Sequence, residues 1–154
     1  MTTRAPITIL LAEDNPGDVF LVRRALKKHD LDVKLVVVED GKAALQYMDQ
    51  MDQAEAVDLC PDLVLLDLNL PRAPGSRVLT RIRQSPRCSA TPIIIVTSSD
   101  SPFDREKAVQ LGATDYFQKP GDLAGFMQLG LIVRNALDRR VDAPPKVWGN
   151  QGAG

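Results

Sequence analysis

A chain of 154 residues with 44% hydrophobic and 25% charged side chains is sized for one globular domain with a substantial apolar core. Its 20 acidic and 19 basic residues are scattered, and the net charge of −1 excludes the basic field of a nucleic-acid or membrane-surface binder. The apolar run before the first acids is too short for a signal-peptide core or a membrane span, so the expected compartment is the cytoplasm. Cys60 and Cys88 form no CxxC pair and fit inert, reduced thiols there better than a disulfide scaffold or zinc site.

The first strand is read at "ITILLA" (7–12), followed by Asn15 as a helix N-cap with Pro16 in the first turn. That helix ends near His29, the only histidine, which reads as a solvated cap favourable to the helix dipole. "VKLVVV" (33–38) is the second strand, and Glu39 and Asp40 in "EDG" read as a solvated turn at its end. "DQMDQAEAVDLCP" (49–61) lengthens the next connection, as a helix extension or a loop, and carries no recognisable chemistry. "DLVLLD" (62–67) and "PIIIVT" (92–97) are the third and fourth strands, Gly112 stops the helix containing "REKAVQL", and "TDYFQ" (114–118) is a weaker fifth strand. The last helix is expected at roughly 122–138, with Phe126, Leu129, Gly130, Val133, Ala136 and Leu137 on its core face. Met127 and Leu131 fall opposite, beside Arg134, as a small exposed apolar patch.

These strands are apolar without alternation, as strands covered on both faces are, and strand and helix alternate five times. Right-handed crossovers then give an α/β, flavodoxin-like, doubly wound five-stranded parallel sheet of order 2-1-3-4-5 with helices on both faces. The domain is expected to span 6–138, leaving 139–154 as a tail too short for a DNA-binding output domain.

In such a sheet ligands bind outside the carboxyl ends of the strands, near the switch point between strands 1 and 3. Glu13 and Asp14 follow strand 1, Asp67 ends strand 3, Thr97 ends strand 4 and Lys119 follows strand 5. Three carboxylates and one ammonium sum to −2, the charge one divalent cation neutralises. With oxygen ligands and no His or Cys, Mg²⁺ fits and Zn²⁺ does not. A hydroxyl and an ammonium facing such a cup suit a phosphoryl group, with Asp67 as its nucleophile and acceptor.

With "EDN" after strand 1, "LLDLNLPRAPG" around Asp67, Pro71 and Gly75, "VTS" at Thr97 and "YFQKP" at Lys119 and Pro120, the chain resembles the receiver domains of two-component response regulators. The resemblance implies that Asp67 is the phosphoacceptor and that Asp14, Asp67 and the backbone carbonyl of Asn69 bind Mg²⁺, with Glu13 acting through water. It also implies that Thr97 and Lys119 hold the phosphoryl group, that Tyr116 is a switch aromatic, and that the Lys119–Pro120 peptide is cis. The alternative reading of Tyr116 is a half-buried strand aromatic.

The function expected is that of a single-domain, non-enzymatic phosphoacceptor fed by a sensor histidine kinase or phosphotransfer protein, His29 not being the donor. It signals through protein contacts, a homodimer among them. The "DLNLPR" stretch and the long connection before strand 3 resemble regulators paired with phytochrome-type kinases. Two alternatives keep the fold: an adaptor that works without phosphorylation, and a phosphatase of the haloacid-dehalogenase type. The latter's DxDxT pattern has a general acid where this chain has Asn69.

Overall fold

The computed structural model of the protein describes residues 6–54 and 60–139. Its elements in chain order are β1 (Ile7–Ala12), α1 (Pro16–Lys28), β2 (Val33–Val38), α2 (Gly41–Gln53), β3 (Leu63–Leu66) and α3 (Gly75–Arg83). There follow β4 (Ile93–Thr97), α4 (Pro102–Gln110), β5 (Asp115–Gln118), α5 (Leu123–Met127) and α6 (Leu129–Asp138). All strand pairs are parallel and the order is β2-β1-β3-β4-β5, as the alternation requires. β3 and β4 are buried along their whole length, so their apolar runs pack on both faces.

The pleat divides the core in two. Ile9, Leu11, Leu65, Ile94 and Phe117 pack under α1, α5 and α6, while Leu10, Leu66, Ile95 and Tyr116 pack on the side of α2, α3 and α4. Local chemistry sets the helix starts. Asn15, Asp40, Ser101 and Asp122 each accept a backbone N–H from the first turn of α1, α2, α4 and α5 respectively. Asp40 is thus a structural cap, and Gly112 leaves α4 at φ +101°, which its missing Cβ permits.

Four expectations change. The final helix is broken at Gln128 into α5 and α6, so a continuous helical wheel misplaces Met127, which turns inward and is 5% exposed. Leu131 stays exposed, but the expected two-residue patch does not form. The break frees the Met127 carbonyl, which accepts the Nε2–H of His29 at 3.0 Å; His29 does cap α1, but it is half-buried rather than solvated. Against that imidazole α6 comes so close to α1 that a Cβ on Gly130 would lie 2.4 Å from the Ala25 carbonyl oxygen. The described residues contain no cis peptide, so Lys119–Pro120 is trans, the isomer favoured for most X–Pro bonds. With that trans bond, the Lys119 N–H still bonds the Thr97 carbonyl at 2.8 Å.

The fourth change concerns the cysteines. Cys60 and Cys88 are joined in a disulfide with Cα atoms 5.6 Å apart. Distance along the chain did not reveal the pairing because it arises across the fold, where the approach to β3 meets the α3–β4 connection. Beside it Ser85 receives the Cys88 and Arg87 N–H groups and donates to Asp52 of α2, and Arg81 of α3 reaches both Asp49 and Asp52. The first half of the 49–61 connection is therefore helix, its last turn held by α3.

A cross-link closing a loop of this length stabilises a fold by about 3 kcal/mol, which for a domain of this size is roughly 10 °C in melting temperature. The half-buried Cys60 permits a clean test. Cys60→Ser should melt about 10 °C below the oxidised protein, and excess dithiothreitol should lower the parent to the same temperature without moving the variant.

Candidate functional site

The carboxyl edge of the sheet is assembled by backbone bonds before any side chain acts. Glu13 N–H bonds the Val38 carbonyl, Asp67 N–H bonds that of Ala12, and Lys119 N–H bonds that of Thr97, so the strand ends stop level with one another. Gly75 then lets the loop after β3 fold back: a Cβ there would lie 2.2 Å from the Asp67 carbonyl oxygen. Arg72 in that loop adopts φ +71°, a strained value for a side-chain-bearing residue.

At this edge the Lys119 ammonium has three N–H donors and three carboxylate partners: Glu13 at 2.7 Å, Asp18 at 2.8 Å and Asp67 at 3.0 Å. Glu13 and Asp67 are 1% and 5% exposed, so neither has bulk water to solvate it. The second Asp67 oxygen accepts the Asn69 N–H at 3.0 Å, and the second Glu13 oxygen accepts that of Asn15 at 3.2 Å. Thr97, fully buried, accepts from the Asn69 side-chain amide and from the Ser99 N–H, both at 3.4 Å. Its own O–H proton is thus the one available to donate.

The sequence-derived set of Glu13, Asp14, Asp67, Asn69, Thr97 and Lys119 is brought together here. Tyr116 is adjacent rather than within the cluster: its ring is 9% exposed and its hydroxyl donates to the Ser99 carbonyl, two residues beyond Thr97. Sequence reasoning missed Asp18. An acid in the first turn of a helix ordinarily complements the helix dipole, and nothing in its position signals a partner just after β5, 101 residues away.

Asp18 changes the charge sum. Four carboxylates against one ammonium give −4 + 1 = −3 when all are ionised. Burial pushes the Glu13 carboxyl up to about 7, against the hydrogen bond from Lys119 and with the aid of the Asp67 charge. Burial opposes the charged form of Lys119, but its hydrogen bonds to Asp18 and Glu13 and the charge of Asp67 outweigh it and raise its pKa above the usual lysine value. The lysine therefore stays cationic and the surplus is negative.

Glu13, Asp14 and Asp67 each present an oxygen within 4.8 Å of the others, which suits a small hard cation. Asp14 is exposed, so the cup opens to solvent on its side. A buried nucleophilic carboxylate, a hydroxyl donor, a fixed ammonium and an oxygen cup for a divalent ion together can accept and hold a phosphoryl group.

Comparison with known proteins points the same way. The family described as "Response regulator receiver domain" matches residues 9–129. The chain is similar to the response regulator Rcp1 of Synechocystis sp., 34% identical over 124 residues that cover 80% of this chain and 84% of that protein. Among solved structures it is similar to a phosphorylated cyanobacterial phytochrome response regulator, RcpA, with a TM-score of 0.77 and 30% identity over 92% of this chain and all of that one. It is similar also to the Mn²⁺-bound form of Rcp1, with a TM-score of 0.76 and 32% identity over 91% of this chain and 100% of that one.

The raised Glu13 pKa has a measurable consequence. A carboxyl that holds its proton more tightly folded than unfolded contributes stability that is complete below about pH 4.5 and is lost as pH rises through about 7. In EDTA the melting temperature should therefore fall across that window, and Glu13→Gln, which cannot titrate, should flatten the fall.

Proposed function

Because this chain belongs to the response regulator receiver family, a family of signalling phosphoacceptors, we propose that Asp67 is its phosphoacceptor and that Mg²⁺ is its metal. The observation that carries this reading is the Lys119 ammonium bound directly to Asp67, with the Thr97 hydroxyl reached through Asn69. The donor is a phosphohistidine on a sensor kinase or phosphotransfer protein. An Asp67 oxygen attacks phosphorus, the P–N bond breaks, and the imidazole leaves with the bonding pair and takes up a proton. Asp67, already desolvated and hydrogen-bonded to the Asn69 N–H, is held in one orientation for that attack. Thr97 donates to one phosphoryl oxygen and Lys119 pairs with another.

Asp14, Asp67 and the Asn69 carbonyl would hold Mg²⁺, with Glu13 reaching it through water. When bound, the ion supplies positive charge to the equatorial oxygens. Asp18 adds a function the sequence did not indicate: it keeps one Lys119 N–H engaged, so the ammonium remains near Asp67 when the other contacts rearrange. The chain acts on no substrate beyond its own aspartate. Rcp1 and RcpA support a phytochrome-type kinase as partner, and the ATP from which such kinases form phosphohistidine argues for the cytoplasm. Output passes through protein contacts, a homodimer among them, at the face where Phe103 and Val109 of α4 stand 71% and 62% exposed. Asn69, lacking a dissociable acid proton, argues against the phosphatase alternative.

Acetyl phosphate with Mg²⁺ tests the assignment directly. Asp67→Asn should show no phosphoryl adduct in intact-mass spectra, and a full adduct on that variant would reject the assignment. Asp14→Ala should lower Mg²⁺ affinity by at least about tenfold, with labelling falling in parallel. Lys119→Ala should behave differently, because removing the cation leaves the cup more negative: calorimetric titration should still detect Mg²⁺ binding.

A further inference from the structure

Tyr116 is held inward from two sides. Its hydroxyl donates to the Ser99 carbonyl at 3.0 Å, and the guanidinium of Arg105, on α4, lies 4.5 Å from the centroid of its ring. That distance is within the range where a cation is attracted to an aromatic face. Arg105 is exposed, so its own burial does not drive it onto the ring. Its placement is fixed from beneath by the start of α4, which is tied into the β4–α4 loop. Ser101 caps the Asp104 N–H, Ser99 Oγ donates to the Asp104 carboxylate at 2.6 Å, and the Arg105 N–H bonds the Ser101 carbonyl. Ser99 in turn donates its N–H to Thr97 Oγ1. Thr97, Ser99, Asp104, Arg105 and Tyr116 thus form one connected chain from the buried hydroxyl of the site to the outer surface of α4.

We propose that Arg105 is a positioning residue for the Tyr116 ring. Its guanidinium forms a second lock that holds the ring inward before any phosphoryl group is present and biases the surface of α4 and β5 toward that arrangement. The proposal rests on reading the Asp67 and Thr97 cluster as a phosphorylation site. Electrostatics distinguishes it from simple coverage: a cation should hold the ring, and an apolar chain of similar length should not. An exposed cation–π contact corresponds to roughly a two- to fivefold change in the inward-to-outward ratio of the ring.

The test labels the chain with 3-fluorotyrosine in a Tyr47→Phe background, leaving Tyr116 as the single reporter, since the sequence holds two tyrosines. Fluorine NMR is recorded without phosphoryl donor and then with Mg²⁺ and beryllofluoride, a phosphoryl mimic. The H₂O-to-D₂O isotope shift reports ring exposure. Arg105→Met should increase exposure by the stated change in ratio, Arg105→Lys should restore much of the parent value, and beryllofluoride should draw the Arg105→Met ring back inward. A parent-like ring in Arg105→Met overturns the lock. Equal exposure in the Lys and Met variants overturns its cationic basis. If Arg105→Met is displaced, Arg105→Lys restores it and beryllofluoride does not move it, the lock stands and the reading of the phosphorylation site fails.

Discussion

The carboxyl edge of this sheet depends on one ammonium held among three carboxylates. At effective dielectric constants found near protein surfaces a unit-charge pair about 4 Å apart is worth about 4 kcal/mol, and a buried carboxylate without such a partner is strongly destabilising. Lys119 meets Glu13, Asp18 and Asp67 at once, and these come from the β1–α1 loop, the first turn of α1 and the end of β3. None of those segments is close in sequence to β5, so the ammonium adds a side-chain tie across strand ends whose register the backbone bonds already set. The same contact leaves the site short of positive charge by design of its composition: three donors are used up and surplus negative charge remains.

That surplus explains why the two edges of the sheet are built differently. At the amino edge, helix ends are tied by strongly paired groups: Arg81 bridges Asp49 and Asp52, Ser85 joins the same network, and the Cys60–Cys88 disulfide lies beside it. Arg83 adds three backbone carbonyls, those of Gly112, Ser89 and Thr91. At the carboxyl edge the corresponding connections hold a strained Arg72, an exposed Asp14 and a half-protonating Glu13. Stability is concentrated where no chemistry is needed, and the groups whose bonding must change on binding a cation or a phosphoryl group are grouped at the other end.

What the sequence disclosed follows the range of the physics involved. Continuous apolar runs such as "PIIIVT" specify strands buried on both faces, and Asn15 and Gly112 act on their own neighbours, so strand order, those two helix ends and the strand-end residues were legible, while Asp40, read as a solvated turn, is the cap of α2. Asp18 and the Cys60–Cys88 bond were not, because each is defined by a partner that only the folded chain brings near. Met127 failed for another reason. A helical wheel assumes an unbroken helix, whereas the chain breaks at Gln128, beside contacts that only the fold brings together: His29 on the Met127 carbonyl and Gly130 against Ala25.

His29 and Arg105 show how the two faces of the sheet receive different treatment from similar chemistry. His29 satisfies a carbonyl exposed by a helix break and fixes α5 and α6 on α1, behind Phe117 and Phe126, whose rings meet edge to face at 5.8 Å. Across the sheet, the neighbouring residue of β5, Tyr116, points the other way because successive strand side chains alternate. It meets α4, a helix whose only buried residue is Ala108. A helix that buries so little is held to the sheet chiefly at its ends and by contacts such as that of Arg105 with the ring. β5 therefore carries, in adjacent residues, a fixed aromatic anchor on one face and an aromatic whose position can be changed by polar contacts on the other, with Lys119 two residues beyond the anchor joining both to the site.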